Sequence, residues 1–273
     1  MSYPKLHTRP EMAVLLLLLA EWGLSFAVPF THGLTATLLY YASYLLPIAI
    51  FALLFAKREE LTAHRPTVGG LRRVLPLLPI FLAAVLLTSS ATGYLMDALS
   101  IPTGGGAAGG ADPLSLLLSH ALLPALLEEG LMRLCVLSLL ARRCPARAVP
   151  QSALLFALLH ASLYQMPYAF VGGIFLALAV LYGGSVLYAM LFHLLNNLLS
   201  LLMQSLPSLL GQAAGLYANL GISLALFLLS AWGVLVLLRR RGQARLPDTR
   251  GWLRELICSP LIVYLILMLL CTC

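Results

Sequence analysis

The chain is a succession of apolar runs separated by short polar stretches. The runs fall at roughly 12–31, 34–56, 74–96, 114–141, 151–166, 168–182, 185–205, 218–238 and 257–273. Most approach the ~17 to 25 residues that a helix needs to cross the hydrocarbon core of a bilayer. They predict an all-α fold, a polytopic transmembrane helical bundle of about eight or nine helices. The fifth and sixth runs are short and nearly continuous through Gln165, Met166 and Pro167, so residues 151–182 fit either two full spans or one span with a re-entrant or strongly tilted partner. No internal repeat is evident, and residues 1–273 read as a single membrane-embedded domain.

Composition removes the soluble alternative. The chain is 61% hydrophobic and 10% charged, with a mean hydropathy of +0.95, whereas a soluble domain carries about 25% charged residues. The charges that remain are sorted. With nine passes and a cytoplasmic N-terminus, the inside segments hold Lys5 and Arg9; Lys57, Arg58, Arg65, Arg72 and Arg73; Arg142, Arg143 and Arg147; and Arg239, Arg240, Arg241, Arg245, Arg250 and Arg254. Those are sixteen of the 17 basic residues, as expected for cytoplasmic loops. The net charge of +7 therefore reads as topology, and the lipid bilayer replaces nucleic acid as the expected partner. Glu21 and Trp22 stand where a secretory signal would carry small residues before a cleavage site, so the first helix is expected to be retained.

Other features are bland. The five cysteines, Cys135, Cys144, Cys258, Cys271 and Cys273, have neither a zinc spacing nor an even disulfide framework, and the ending Leu-Cys-Thr-Cys is not a prenylation box. The glycine-rich stretch 104–112 follows no strand and precedes no Gly-Lys-Ser/Thr, so it reads as a flexible outside loop. Glu21 is an intramembrane carboxylate, better explained by a position near a helix end or by pairing than by catalysis.

Three fragments carry candidate chemistry: Glu128-Glu129-Gly-Leu-Met-Arg133, Phe156-Ala-Leu-Leu-His160 and His193-Leu-Leu-Asn-Asn197. A charge at the bilayer centre costs at least ~2.5 to 3.5 kcal/mol, so such groups face one another or a wet cavity. Glu129 and Arg133 are four apart and share a helix face as natural ion-pair partners, while Glu128 is rotated about 100° away and is left free for chemistry. Phe156 shares a face with His160, and His193 shares one with Asn197. A glutamate, two histidines and an asparagine from three helices can converge on one water. Carboxylate and imidazole suit its activation, and imidazole and amide suit an oxyanion.

In order and spacing the fragments resemble the CAAX protease and bacteriocin-processing family, also called Abi or CPBP, of intramembrane endopeptidases, whose pattern is Glu-Glu-x-x-x-Arg, Phe-x-x-x-His and His-x-x-x-Asn. The resemblance covers a core of about 114–205. It implies that Glu128 activates the attacking water with His160 assisting, that His193 and Asn197 stabilise the oxyanion or complete the water's environment, and that Glu129, Arg133 and Phe156 support the site. The implied substrate is a membrane-associated or prenyl-like peptide, and the implied location a bacterial plasma membrane.

The cofactor stays open between a divalent metal such as zinc and none. Glu128, His160 and His193 would form a two-histidine, one-glutamate ligand set of the kind used by catalytic zinc, as in a metalloprotease. Two other functions compete: a catalytically idle binding or bacteriocin-immunity protein of the same fold, and a small-solute transporter, which should show two similar halves. The sequence does not fix the oligomeric state. Counted along the runs, His160 lies ten residues and His193 eight from the inside ends, which predicts a site reached from the cytoplasmic face, with a kink at Pro124 admitting water.

Overall fold

The computed structural model describes residues 9–55, 65–101, 112–240 and 249–272. Lys5, Lys57, Arg58, Arg241, Arg245, Cys273 and the glycine run 104–110 lie outside these residues, so the expectations for them stand apart from the structure. All elements of the described residues are helical: α1 (Pro10–Ser25), α2 (Gly33–Phe55), α3 (Val68–Val74), α4 (Leu77–Ala98), α5 (113–141), α6 (Pro145–Leu159), α7 (Met166–Gly183), α8 (Val186–Leu210), α9 (Gln212–Arg239), α10 (Trp252–Ile257) and α11 (Ile262–Thr272). Six of them, α1 extended to Phe30, α2, α4, α7, α8 and α9, are long and apolar enough to cross a membrane. The chain is an all-α polytopic bundle.

Local chemistry sets the boundaries. Pro10, Pro113 and Pro145 open α1, α5 and α6, where the missing N–H costs nothing. The Asp112 carboxylate accepts from Ser115 N at 3.1 Å and the Thr67 hydroxyl from Gly70 N at 3.0 Å, capping α5 and α3. Gly184, at φ +80°, stops α7 in the left-handed region before Ser185 starts α8.

Helix α5 is not uniform. It winds as π-helix over Leu117–Leu122, as α-helix over Leu123–Glu129, and as π-helix again over Gly130–Leu137. The irregularity expected at Pro124 therefore takes the form of a wide turn directly before it, one of the ways a helix accommodates a proline that cannot donate. The Glu128–Glu129 pair sits at the end of the only α-helical stretch between two π-helical ones.

The fifth expected span needs correction. Its helix, α6, begins at Pro145 and ends at Leu159, earlier than the 151–166 run, because Pro145 starts it and the chain turns at His160 with Ala161 at φ +45°. The last run, 257–273, becomes helix α11 only from Ile262, since Ser259 and Pro260 separate it from α10, which ends at Ile257. Nearly every residue of α6 from Ala148 to Leu158 is buried, so it is a central strut. It lies against α7, where Gly173 meets Ala153, and Ala169 and Ala177, four residues to either side of Gly173, are buried too. Small residues let membrane helices approach closely. Helix α9, in contrast, turns Leu224, Phe227 and Leu228 outward as a lipid-facing helix does.

Contacts gather the basic segments at one end of the bundle. Arg143 pairs with Glu11 at 2.5 Å and Glu255 at 3.6 Å, Arg147 with Glu255 at 3.3 Å, and Arg142 donates to the Phe55 carbonyl at 2.6 Å. The ends of α2 and α5 and the starts of α1 and α6 thereby meet α10. Arg240 donates to the Arg72 carbonyl at 3.3 Å, joining the end of α9 to α3. Tyr188 near the start of α8 joins α3 too, its hydroxyl donating to the Thr67 carbonyl at 2.6 Å.

The α6–α7 contact has no room to spare. A Cβ on Gly173 would sit 2.9 Å from Ala153 Cα, a backbone atom that cannot rotate away. Gly173→Leu is expected to lower thermal stability in detergent by ~1 to 3 kcal/mol or more through overpacking, whereas Gly172→Ala, facing side-chain atoms at 3.3 and 3.5 Å, should change it less. A melting comparison of the two variants checks this.

Candidate active site

The seven residues singled out from the sequence come from three helices, α5, α6 and α8, and meet in the bundle. Glu129 and Arg133 are fully buried. Arg133 Nε lies 3.1 Å from Glu129 Oε2, so the expected i, i+4 ion pair is present across the start of the second π-helical stretch. The Arg133 guanidinium lies over the Phe156 ring, its Cζ 4.7 Å from the centroid. The other Glu129 oxygen, Oε1, faces His193 Nδ1 at 3.0 Å. One carboxylate thus ties the arginine of its own helix to the histidine of α8.

Both histidines are oriented through Nδ1. His160 Nδ1–H donates to the Phe156 carbonyl at 2.9 Å, and His193 Nδ1–H donates to Glu129. A carbonyl and a carboxylate accept only, so each ring turns Nε2 toward the remaining polar group. That group is Glu128: His160 Nε2 stands 3.9 Å and His193 Nε2 4.0 Å from its Oε2. The Phe156 ring closes the apolar side, edge-on to both imidazoles with centroids 4.9 and 6.0 Å away.

Glu128 Oε2 is buried and has no hydrogen-bond partner among the described residues. Separations near 4 Å are too long for hydrogen bonds and leave space for a bridging species. A water molecule or a divalent cation would each satisfy the three converging atoms, and the donor types, two imidazoles and a carboxylate with Glu129 behind one of them, suit such an ion. Among the described residues, no three His, Cys, Asp or Glu side chains are already close enough to form a metal cluster outright.

A cavity of about 260 Å³ opens beside these atoms, lined by Glu128, Phe156, His160, His193 and Asn197. It is also lined by residues that the sequence reading passed over: His120, Gln165, Tyr168 and Asn196. Asn196 Nδ2 donates to Asn197 Oδ1 at 3.4 Å, which leaves the Asn197 amide N–H groups for the cavity. Position 196 was detectable, since it lies three residues from His193 and i, i+3 neighbours share a face as i, i+4 ones do. Gln165 and Tyr168 carried no such signal, because they flank the start of α7, which hydrophobic runs cannot locate. Glu21 lies elsewhere in the core, accepting from Ser25 Oγ at 2.5 Å.

The depth of the site also differs from the reading along the runs. With α6 beginning at Pro145, 15 helical residues precede His160, about 22 Å at 1.5 Å per residue. His160 is therefore farther from the start of its helix than ten residues implied, while His193 stays seven residues from the start of α8.

Fold and site define an integral membrane protein with a carboxylate–histidine centre enclosed by its helices. Residues 110–199 match the family model for the Rce1-like type II CAAX prenyl endopeptidases. That stretch, a third of the chain, holds all three motifs and is what the chain shares with this family. Comparison with curated proteins and with solved structures found no match.

The two glutamates have opposite surroundings, so their variants should separate. Glu129→Ala or Arg133→Ala leaves a buried charge without its partner, at a cost of ~3 to 5 kcal/mol, and should reduce accumulation in membranes. Glu128→Gln removes a charge from a group that braces nothing and should accumulate like the parent. Immunoblots of membrane fractions check this; equal loss in all three would mean that the whole motif is structural.

Proposed function

We propose that the chain is an intramembrane endopeptidase that hydrolyses a peptide bond in a membrane-associated substrate with water activated by Glu128. The observation that supports this most is the unpartnered Glu128 Oε2 facing two Nε2 atoms at 3.9 and 4.0 Å, while Glu129 is committed on both oxygens to Arg133 and His193.

A water in the gap donates one proton to Glu128 and the other to His160 Nε2. As its oxygen bonds to the substrate carbonyl carbon, Glu128 takes the proton and the carbonyl oxygen becomes an oxyanion. His193, held against the Glu129 carboxylate through Nδ1–H, carries a second proton on Nε2 and donates it as a hydrogen bond to that oxygen, joined by the Asn197 amide. The C–N bond then breaks as Glu128 returns its proton to the departing amine. The Arg133–Phe156 stack fixes the wall against which His160 and His193 rest. A divalent ion, where one is used, would be held by Glu128, His160 and His193 and would acidify the bound water.

Glu128→Gln and His160→Ala should each lower the hydrolysis of a reporter peptide in proteoliposomes by ~10² to 10⁴-fold with protein levels unchanged. Full activity in Glu128→Gln would leave the idle binding protein as the better reading. Metal analysis of purified protein, with assay before and after phenanthroline, assigns the chemistry: retained rate in metal-free protein gives it to the side chains alone, and a loss restored by zinc adds the ion.

A further inference from the structure

The catalytic cavity continues into a larger groove of about 740 Å³, with which it shares His120, Gln165, Tyr168, Asn196 and Asn197. The groove runs between two helix faces. Ser89, Gly93 and Asp97 follow one another at four-residue spacing on α4, and Asn197, Ser200 and Gln204 at three- and four-residue spacing on α8. Both series lead away from the start of α8 and toward the end of α4, the ends opposite the basic segments. Accessibility rises in the same direction: Asn197 is half-buried, and Ser200, Gln204 and Asp97 are exposed.

The other direction is closed. Between the site and the basic end, Leu131, Val136 and Leu139 of α5, Leu155 of α6, Leu176 and Val180 of α7 and Ala189 of α8 are all buried. The groove therefore offers water and substrate a path on the side away from the basic segments.

The lining has a distinct chemistry. Amide and hydroxyl groups of Asn196, Asn197, Ser200, Gln204 and Gln165 offer donors and acceptors to a main chain, and Leu82, Leu86 and Met203 offer apolar contact. Among the described residues no Lys or Arg lines it, and the formal charge at its open end is the Asp97 carboxylate. Arg133, the one basic residue outside the basic segments, is enclosed behind Glu129 and does not reach the groove. A free C-terminal carboxylate lying here would have no cation to meet and Asp97 to repel it. From Asn197 to Gln204 the wall is about 10 Å long, enough for about three extended residues.

We propose that the substrate, on the peptidase reading above, reaches Glu128 as an extended neutral or basic peptide segment, drawn through this groove from the membrane face opposite the basic helix ends. This replaces the approach from the basic face expected from the sequence. The substrate is then a segment exposed on the other side of the bilayer, cut at an internal bond and not recognised through a terminal carboxylate.

The test places single cysteines in full-length protein lacking the native ones: Ser200→Cys or Gln204→Cys in the groove, and Arg72→Cys as a marker of the basic end. In oriented vesicles, a membrane-impermeant maleimide should label the groove cysteines and the Arg72 marker from opposite faces. Labelling of both from the same face overturns the proposal. Cationic and anionic methanethiosulfonates then probe charge. Relative to the Arg72 site, the cation-to-anion rate ratio at the groove cysteines should be higher by roughly threefold or more, and Asp97→Asn should reduce it; an unchanged or inverted ratio overturns the charge preference. Neither measurement needs turnover. Same-face labelling with an inactive Glu128→Gln would discard the groove and leave the peptidase reading intact, and opposite-face labelling with a fully active Glu128→Gln would do the reverse.

Discussion

The site depends on one shared carboxylate. Glu129 is fully buried and holds Arg133 through one oxygen and His193 through the other. Without it, the guanidinium, whose Nη1 and Nη2 have no hydrogen-bond partner among the described residues, would be a bare charge in the bundle, and the His193 ring would lose the contact that aims its Nε2. Its full engagement also releases its neighbour. Glu128 and Glu129 are adjacent in the chain, yet one is saturated and the other faces a cavity.

The helices serve this arrangement at some cost to their regularity. Two π-helical stretches flank the α-helical turn that carries the glutamates, and α6 is short and buried so that His160 can cap it. Irregular backbone is tolerated at membrane depth where it is enclosed by protein or lines a wet cavity, and here it does both. The Gly173–Ala153 contact holds α6 against α7, and the turn between them and the first turn of α7 deliver Gln165 and Tyr168 to the cavity. Substrate path and catalytic centre are thus set by the same hairpin.

Much of this could be read before any coordinates. Hydrophobic runs located most of the spans, because burial in lipid leaves few alternatives to helix, and i, i+4 spacing paired Glu129 with Arg133 and Phe156 with His160. The reading failed where its period failed. A run of apolar residues does not say where a helix begins, so α6 was started at 151 in place of Pro145, and the depth of His160 was misjudged. The Glu129–His193 contact joins residues far apart in the chain and had no local signature. Asn196 was passed over although its i, i+3 spacing from His193 marked it, whereas His120 and Tyr168 were missed because a lone polar residue looks like any other until a cavity gathers it.

A thermodynamic cycle on Glu129 and Arg133 tests the shared carboxylate most directly. The melting of Glu129→Gln, Arg133→Met and the double variant is measured against the parent in the same detergent. If the pair is an ion pair whose members are costly only when separated, the double variant recovers most of the stability that either single change loses, because no buried charge is left unpaired. Losses that simply add would contradict the account, since they would mean that Glu129 and Arg133 contribute separately and that His193 is positioned by something else.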